Sequence, residues 1–220
     1  MPWRRIRMWG LIGVCLVAVL GVLAWFTPVL SVRTVRIDGL VEVSEQQVRD
    51  QAAIPLGRPM LRIDTDSVAR RVAAIPKVRT VRVQRVYPWT VKLTVVERTP
   101  IVFYDSPQGA HLLDADSVEF AIEPAPAGVP KLITGHPDGN DPVTKAAVSV
   151  LAVLPQALSI QVGEIAARSI SDISLNLRDG RTVTWGGVDD AERKSSVVLP
   201  LLTREGTVFD VSSPNLVTVK

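Results

Sequence analysis

Between Met8 and Val32 the chain carries no acidic or basic side chain, and the segment WGLIGVCLVAVLGVLAWF inside that interval is continuously apolar. About 20 such residues, rising 1.5 Å each as a helix, are what a hydrocarbon core of about 30 Å requires. Residues 8–28 are therefore expected to form a transmembrane helix that uses the lipid bilayer as its solvent. Trp9 and Trp25 stand near its ends, where an indole can bury its ring and keep its N–H among headgroups, and Pro28 follows as a stop. Arg4, Arg5 and Arg7 precede the run, whereas Arg33, Arg36 and Asp38 follow it, so residues 1–7 read as a short cytoplasmic tail with the remainder exported. A cleaved signal peptide would have a shorter apolar region, about 7 to 15 residues, and a small-x-small cleavage site. This run is longer and ends Ala24-Trp25-Phe26, which favours an anchor. It contains no Gly-x-x-x-Gly spacing to suggest dimerisation through the span.

The 220-residue chain leaves room beyond the anchor for one or two small domains, and a hydrophobic content of 47% is enough to bury cores. A net charge of +3 is too mild for a nucleic-acid partner. The basic residues of the middle region alternate with Val as solvent-facing strand positions do. Cys15 is the only cysteine, so neither an intramolecular disulfide nor a cysteine metal site is available.

Residues 32–38 followed by Gly39 read as a strand and turn. Ser44-Glu45-Gln46-Gln47 fits a capping box for a helix running to about Ala53, before Pro55. A second helix is signalled at Asp64-Thr65-Asp66-Ser67, with Val68, Val72 and Ile75 forming one stripe before Pro76. Residues 79–85 and 90–97 then form a hairpin around Tyr87-Pro88-Trp89, with Val91, Leu93 and Val95 on one face. The order strand, helix, helix, strand, strand makes an α+β module over residues 30–98.

Beyond Pro100, short strand-like runs at 101–104, 111–113, 132–134, 173–177 and 182–185 indicate a mostly antiparallel β domain over residues 99–220. Two helical candidates interrupt it, residues 142–154 and 189–203. The β-prone runs 207–211 and 216–220 either complete that domain's own sheet or leave an edge free for an added strand.

The pieces VRTVRIDGL, VSEQQV and GRPMLRIDTDSVARRVAAIPKVRTVRVQRVYPWTVKLTVVERTPIVF resemble the POTRA-like domain of the FtsQ/DivIB cell-division family. The phrase LRDGRTVTWGGVDDAERKSSVVLPLL resembles that family's second domain. The most specific part is the Val-rich strand, the aromatic-Pro-aromatic turn, the second strand and Glu97-Arg98-Thr99-Pro100. The resemblance implies a non-enzymatic scaffold at the division septum. It would be a single-pass type II protein of the bacterial inner membrane, with its C-terminal domains extracytoplasmic. FtsB-like and FtsL-like partners would be held by the last strands and the preceding helix. On this chain those positions are Arg193, Lys194, Val208, Phe209, Asp210 and Val211, and other division proteins would meet the POTRA-like module. The alternative is a POTRA-bearing transport or assembly factor for exported proteins, but such proteins usually continue into a membrane barrel whose aromatic-girdled strands are not signalled here.

No cofactor or catalytic set is expected. His111 and His136 lack metal-ligand spacing and read as loop or strand-edge residues. Asp64 with Asp66 reads as a helix cap, while Asp114 with Asp116, and Asp138-Gly139-Asn140-Asp141, read as turns. No nucleophile elbow, P-loop or dinucleotide fingerprint is present.

Overall fold

A computed structural model describes residues 30–220, and Gly13 alone before them. The expected cytoplasmic tail (1–7) and transmembrane helix (8–28) lie outside the described residues. Among the described residues no helix is long and apolar enough to cross a membrane. The chain divides into two compact units at Glu97/Arg98.

In the first unit, β1 (Thr34–Asp38) runs parallel to β3 (Thr90–Glu97), and β2 (Val78–Val86) pairs antiparallel with β3 on its other side. The last strand in sequence is thus central, and Val91, Leu93 and Val95 are its buried positions, two residues apart as the pleat requires. Helices α1 (Glu45–Ala52) and α2 (Thr65–Ala73) bring Val48, Ala52, Val68 and Val72 to the same core.

Both N-cap side chains accept where the sequence indicates. The Ser44 hydroxyl accepts from the Gln47 N–H, and Asp64 Oδ1 accepts from the Asp66 and Ser67 N–H groups. The expected β-α-α-β-β order is observed, with a 3₁₀ turn at Met60–Arg62 added between the helices. Met60 fills the core from that turn. Arg85 departs from the solvent-facing pattern of β2. It shares the parity of Val81 and Val83, and its guanidinium donates to the carbonyls of Met60 (3.0 Å) and Ile63 (2.6 Å).

The second unit is a nine-stranded sheet in the order β12-β11-β10-β9-β8-β7-β4-β5-β6. Its strands are β4 (Val102–Ser106), β5 (Gly109–Leu113), β6 (Glu119–Glu123), β7 (Lys131–Ile133), β8 (Val162–Ser169), β9 (Asp172–Leu177), β10 (Thr182–Gly186), β11 (Val208–Asp210) and β12 (Thr218–Val219). Antiparallel neighbours predominate, but β4–β7, β7–β8 and β10–β11 are parallel. Parallel neighbours need a crossover rather than a tight turn. The two helices forecast from sequence occupy two of these crossovers: α3 (Pro142–Val153) connects β7 to β8, and α5 (Ala191–Leu201) connects β10 to β11. The one-turn helix α4 (Gln156–Ser159) follows α3. The sequence pattern does not signal strands β6 and β8. Gly163, Ala166 and Ala167 dilute the β-branched signal in β8, and β6 exposes Ile122.

Candidate partner-binding edge

One edge of the second unit's sheet is built outward from β10, and β6 forms the other. Val183 and Trp185 point into the core, Thr182 N–H donates to Thr207 O (2.8 Å), and Val211 N–H donates to Thr184 O (2.9 Å). These bonds lock β11 to β10 in parallel register. Gly186 turns the chain away at φ +76, where an added Cβ would lie 2.9 Å from the Ser212 Cβ.

Along β11 the two-residue period sorts the residues singled out in the sequence. Phe209 and Val211 are fully buried and Val208 is exposed. Asp210 is half-buried, with its carboxylate accepting from the Ser212 N–H. On α5, Arg193 is exposed, whereas Lys194 turns inward. The Lys194 ammonium donates to Gly187 O (2.9 Å) and lies 6.0 Å from the Trp185 ring centroid. Burial lowers its pKa, against the opposing pull of Asp189 and Asp190. The side chains of Val208, Arg193 and Asp210 therefore reach solvent, while Phe209, Val211 and Lys194 are buried.

The outermost strand is β12, joined to β11 by Lys220 N–H to Val208 O (2.9 Å) and Val208 N–H to Lys220 O (3.0 Å). In an antiparallel ladder the hydrogen-bonded and non-hydrogen-bonded pairs alternate. Val219, opposite Phe209, is thus in a non-hydrogen-bonded pair and turns its own N–H and C=O away from β11. Those groups are what an incoming strand would need.

The Glu97-Arg98 signature has a structural role that local pattern did not reveal. Glu97 Oε1 accepts from the N–H groups of Val41 (2.8 Å) and Val43 (3.0 Å), and Oε2 accepts from Glu42 N–H (2.9 Å). One carboxylate at the end of β3 thereby clamps the loop that leads into α1. Burial pushes this carboxyl up, but the three backbone donors and Lys77 outweigh it, and the net pKa is below the ordinary range. A lowered folded-state pKa contributes stability that is present above the unfolded value of about 4.3 and is lost as pH falls through the folded value. Acid unfolding of the first unit should therefore steepen below about pH 4, and Glu97→Gln should flatten that limb. Hydrogen exchange of the Val41 to Val43 amides as a function of pH measures it; identical profiles for both proteins would refute the clamp.

Arg98, by contrast, pairs with the buried carboxylate of Asp114, whose other oxygen accepts from Asp116 and Val118 N–H (2.9 Å each). Asp114, Asp64 and Asp138 thus hold turns and caps, as their spacing indicates. His111 is buried in the sheet rather than lying at a solvated edge. It stacks on Tyr104 with ring centroids 4.7 Å apart. Its Nε2 lies 2.7 Å from Ser106 Oγ and its Nδ1 2.7 Å from Glu119 Oε1. This order imitates a serine–histidine–carboxylate relay, but Ser106 Oγ also accepts from Gln108 N–H (3.1 Å) and lies 3.2 Å from Gly109 O within its own hairpin turn. The array cross-links β4, β5 and β6. Among the described residues no group of three or more metal-ligating side chains is assembled.

Residues 30–98 match the family model for the POTRA domain, FtsQ-type. The chain is 47% identical over 216 residues to the cell division protein FtsQ of Mycolicibacterium smegmatis, covering 98% of this chain and 65% of that protein. It thus spans about two thirds, or slightly less, of the length of its mycobacterial relatives. It is 33% identical to the FtsQ of Corynebacterium glutamicum, covering 94% of both chains. The solved extracytoplasmic domain of the division protein DivIB from Geobacillus stearothermophilus overlaps half of this chain and 98% of its own, with 19% identity and a TM-score of 0.36, a likeness too distant to bear on the fold. With a relative matched over nearly its whole length and an FtsQ-type module in the first unit, the chain belongs to the FtsQ family of bacterial cell-division proteins.

Proposed function

We propose that this protein is a non-enzymatic scaffold of the division septum, anchored in the bacterial inner membrane by residues 8–28 as a single-pass type II protein. Residues 1–7 remain cytoplasmic, and the C-terminal units work outside the cytoplasm. Residues 99–220 hold FtsB-like and FtsL-like single-pass partners by strand addition to β12, and the module at 30–98 meets other division proteins. The observation that carries this reading is the outward-facing backbone of Val219 on a terminal strand whose inner side is already satisfied by β11. In this reading Val208, Asp210 and the exposed Arg193 offer side-chain contacts to the partner, the buried Phe209 and Val211 support β11 from within, and Lys194 holds the turn after β10 through Gly187 O.

Removing the whole segment 207–220 would also remove Phe209 and Val211 from the core, so it tests folding as much as binding. Val219→Pro is cleaner, because proline deletes an outward N–H and is tolerated on an edge strand. Full-length protein co-purified with FtsB-like and FtsL-like ectodomains should retain them, and Val219→Pro should lose most of that retention while Lys220 keeps its amide protection. Retention equal to that of the unmodified protein would overturn strand addition at this edge.

A further inference from the structure

The first unit exposes a mixed aromatic, apolar and basic face where the chain enters it. Val32 N–H donates to Arg58 O (2.9 Å), and Gly57 N–H donates to Val32 O (2.8 Å). One residue later, Arg33 N–H donates to Trp89 O (2.9 Å), and the Arg33 guanidinium lies 5.3 Å from the Trp89 ring centroid. Two segments far apart in sequence, the loop at Leu56–Arg58 and the β2–β3 hairpin tip, are thereby pinned to Val32 and Arg33. Both present large apolar groups to solvent: Leu56 is 66% exposed, Val86 45%, Tyr87 54% and Trp89 44%. Arg33 and Arg58 are exposed beside them.

The apolar run of the sequence closes at Pro28, four residues before Val32. Four residues of fully extended chain reach only about 14 Å. If residues 8–28 span the bilayer, this face cannot leave the headgroup region by more than that length. Aromatic side chains flanked by arginine are suited to that layer, where the ring bodies are buried, the polar tips stay hydrated and guanidinium groups meet phosphate. We propose that the face formed by Arg33, Leu56, Arg58, Val86, Tyr87 and Trp89 seats on the outer surface of the membrane, taking anionic lipid headgroups as its ligand and fixing the orientation of the first unit. This inference rests on the anchoring reading of residues 8–28.

Full-length protein in nanodiscs of phosphatidylglycerol and phosphatidylethanolamine tests it with spin labels at three places. One label is on the native Cys15. The others are on Val86→Cys and Leu216→Cys, each in a Cys15→Ser background, and both replaced residues are exposed. The ratio of collisions with oxygen to collisions with a water-soluble nickel chelate reports immersion. The expected ratio is highest at position 15, and severalfold higher at position 86 than at position 216. A water-like ratio at 86 with an immersed label at 15 would overturn the membrane seat alone and leave the face to a protein partner. A water-like ratio at 15 would overturn the anchor, and the seat with it.

Discussion

Substitution of Gly39 by alanine should destabilise the first unit selectively. Gly39 sits at φ +92, in a region that side chains with a Cβ rarely adopt, and a Cβ built there would lie 2.1 Å from the carbonyl oxygen of Val95. That oxygen belongs to the central strand of the sheet, which cannot retreat without breaking its pairing with β1 or β2. Backbone strain of this kind costs roughly 1 to 3 kcal/mol. The clash places the total at the upper end or beyond, about 3 kcal/mol, which for a unit of this size is on the order of 15 °C in melting temperature. Amide exchange localises the effect. Protection should fall at Val91, Leu93 and Val95 and persist at Ile173 and Leu175 in the second unit. Unchanged protection at the first three positions would show that the chain passes β3 less closely than described.

Phe209→Ala should have a comparable effect on the second unit, and its neighbour supplies the control. Phe209 is fully buried beneath the edge, with the Arg181 guanidinium 5.7 Å from its ring centroid. Truncating a buried phenylalanine costs about 3 to 5 kcal/mol, whereas a surface change such as Val208→Ala stays within about 0.5 kcal/mol. The contrast tests the register of β11 as well as its packing, because a one-residue slip would exchange the two side chains. Urea denaturation of both variants reads it out, and equal destabilisation would mean that the strand does not lie as described. Phe209→Ala should also weaken partner retention through loss of the strand that supports β12. Partner loss in this variant is therefore informative only beside Val219→Pro, which leaves the buried Phe209 and Val211 in place and removes only the partly buried Val219 side chain from the margin of the core.

The two substitutions differ in how visible their targets are in the sequence. Gly39 follows a strand signal and reads as a turn, but the sequence does not say which carbonyl lies against it. Phe209 stands in a short β-prone run with Val208 and Val211, and the family resemblance groups all of them with Asp210 as one surface. The strand period then sends alternate residues to opposite sides. The family resemblance assigns both Arg193 and Lys194 to the partner surface, yet the helix turns Lys194 to Gly187 O while its neighbour Arg193 stays outside.

What the sequence determined by itself is whatever a few neighbouring residues can fix. Ser44 and Asp64 cap helices by bonding amides two or three positions away, Val68 and Val72 share a face because the helix repeats every 3.6 residues, and Val91, Leu93 and Val95 share one because the strand repeats every two. Only the tertiary structure decided the pairings between distant segments. These include the central place of β3, the parallel neighbours β7 and β8, the hold of Glu97 on amides more than fifty positions earlier, and the edge position of β12. Such contacts depend on which segments the burial of two separate cores brings together, and a pairing partner leaves no periodic mark in the strand it joins.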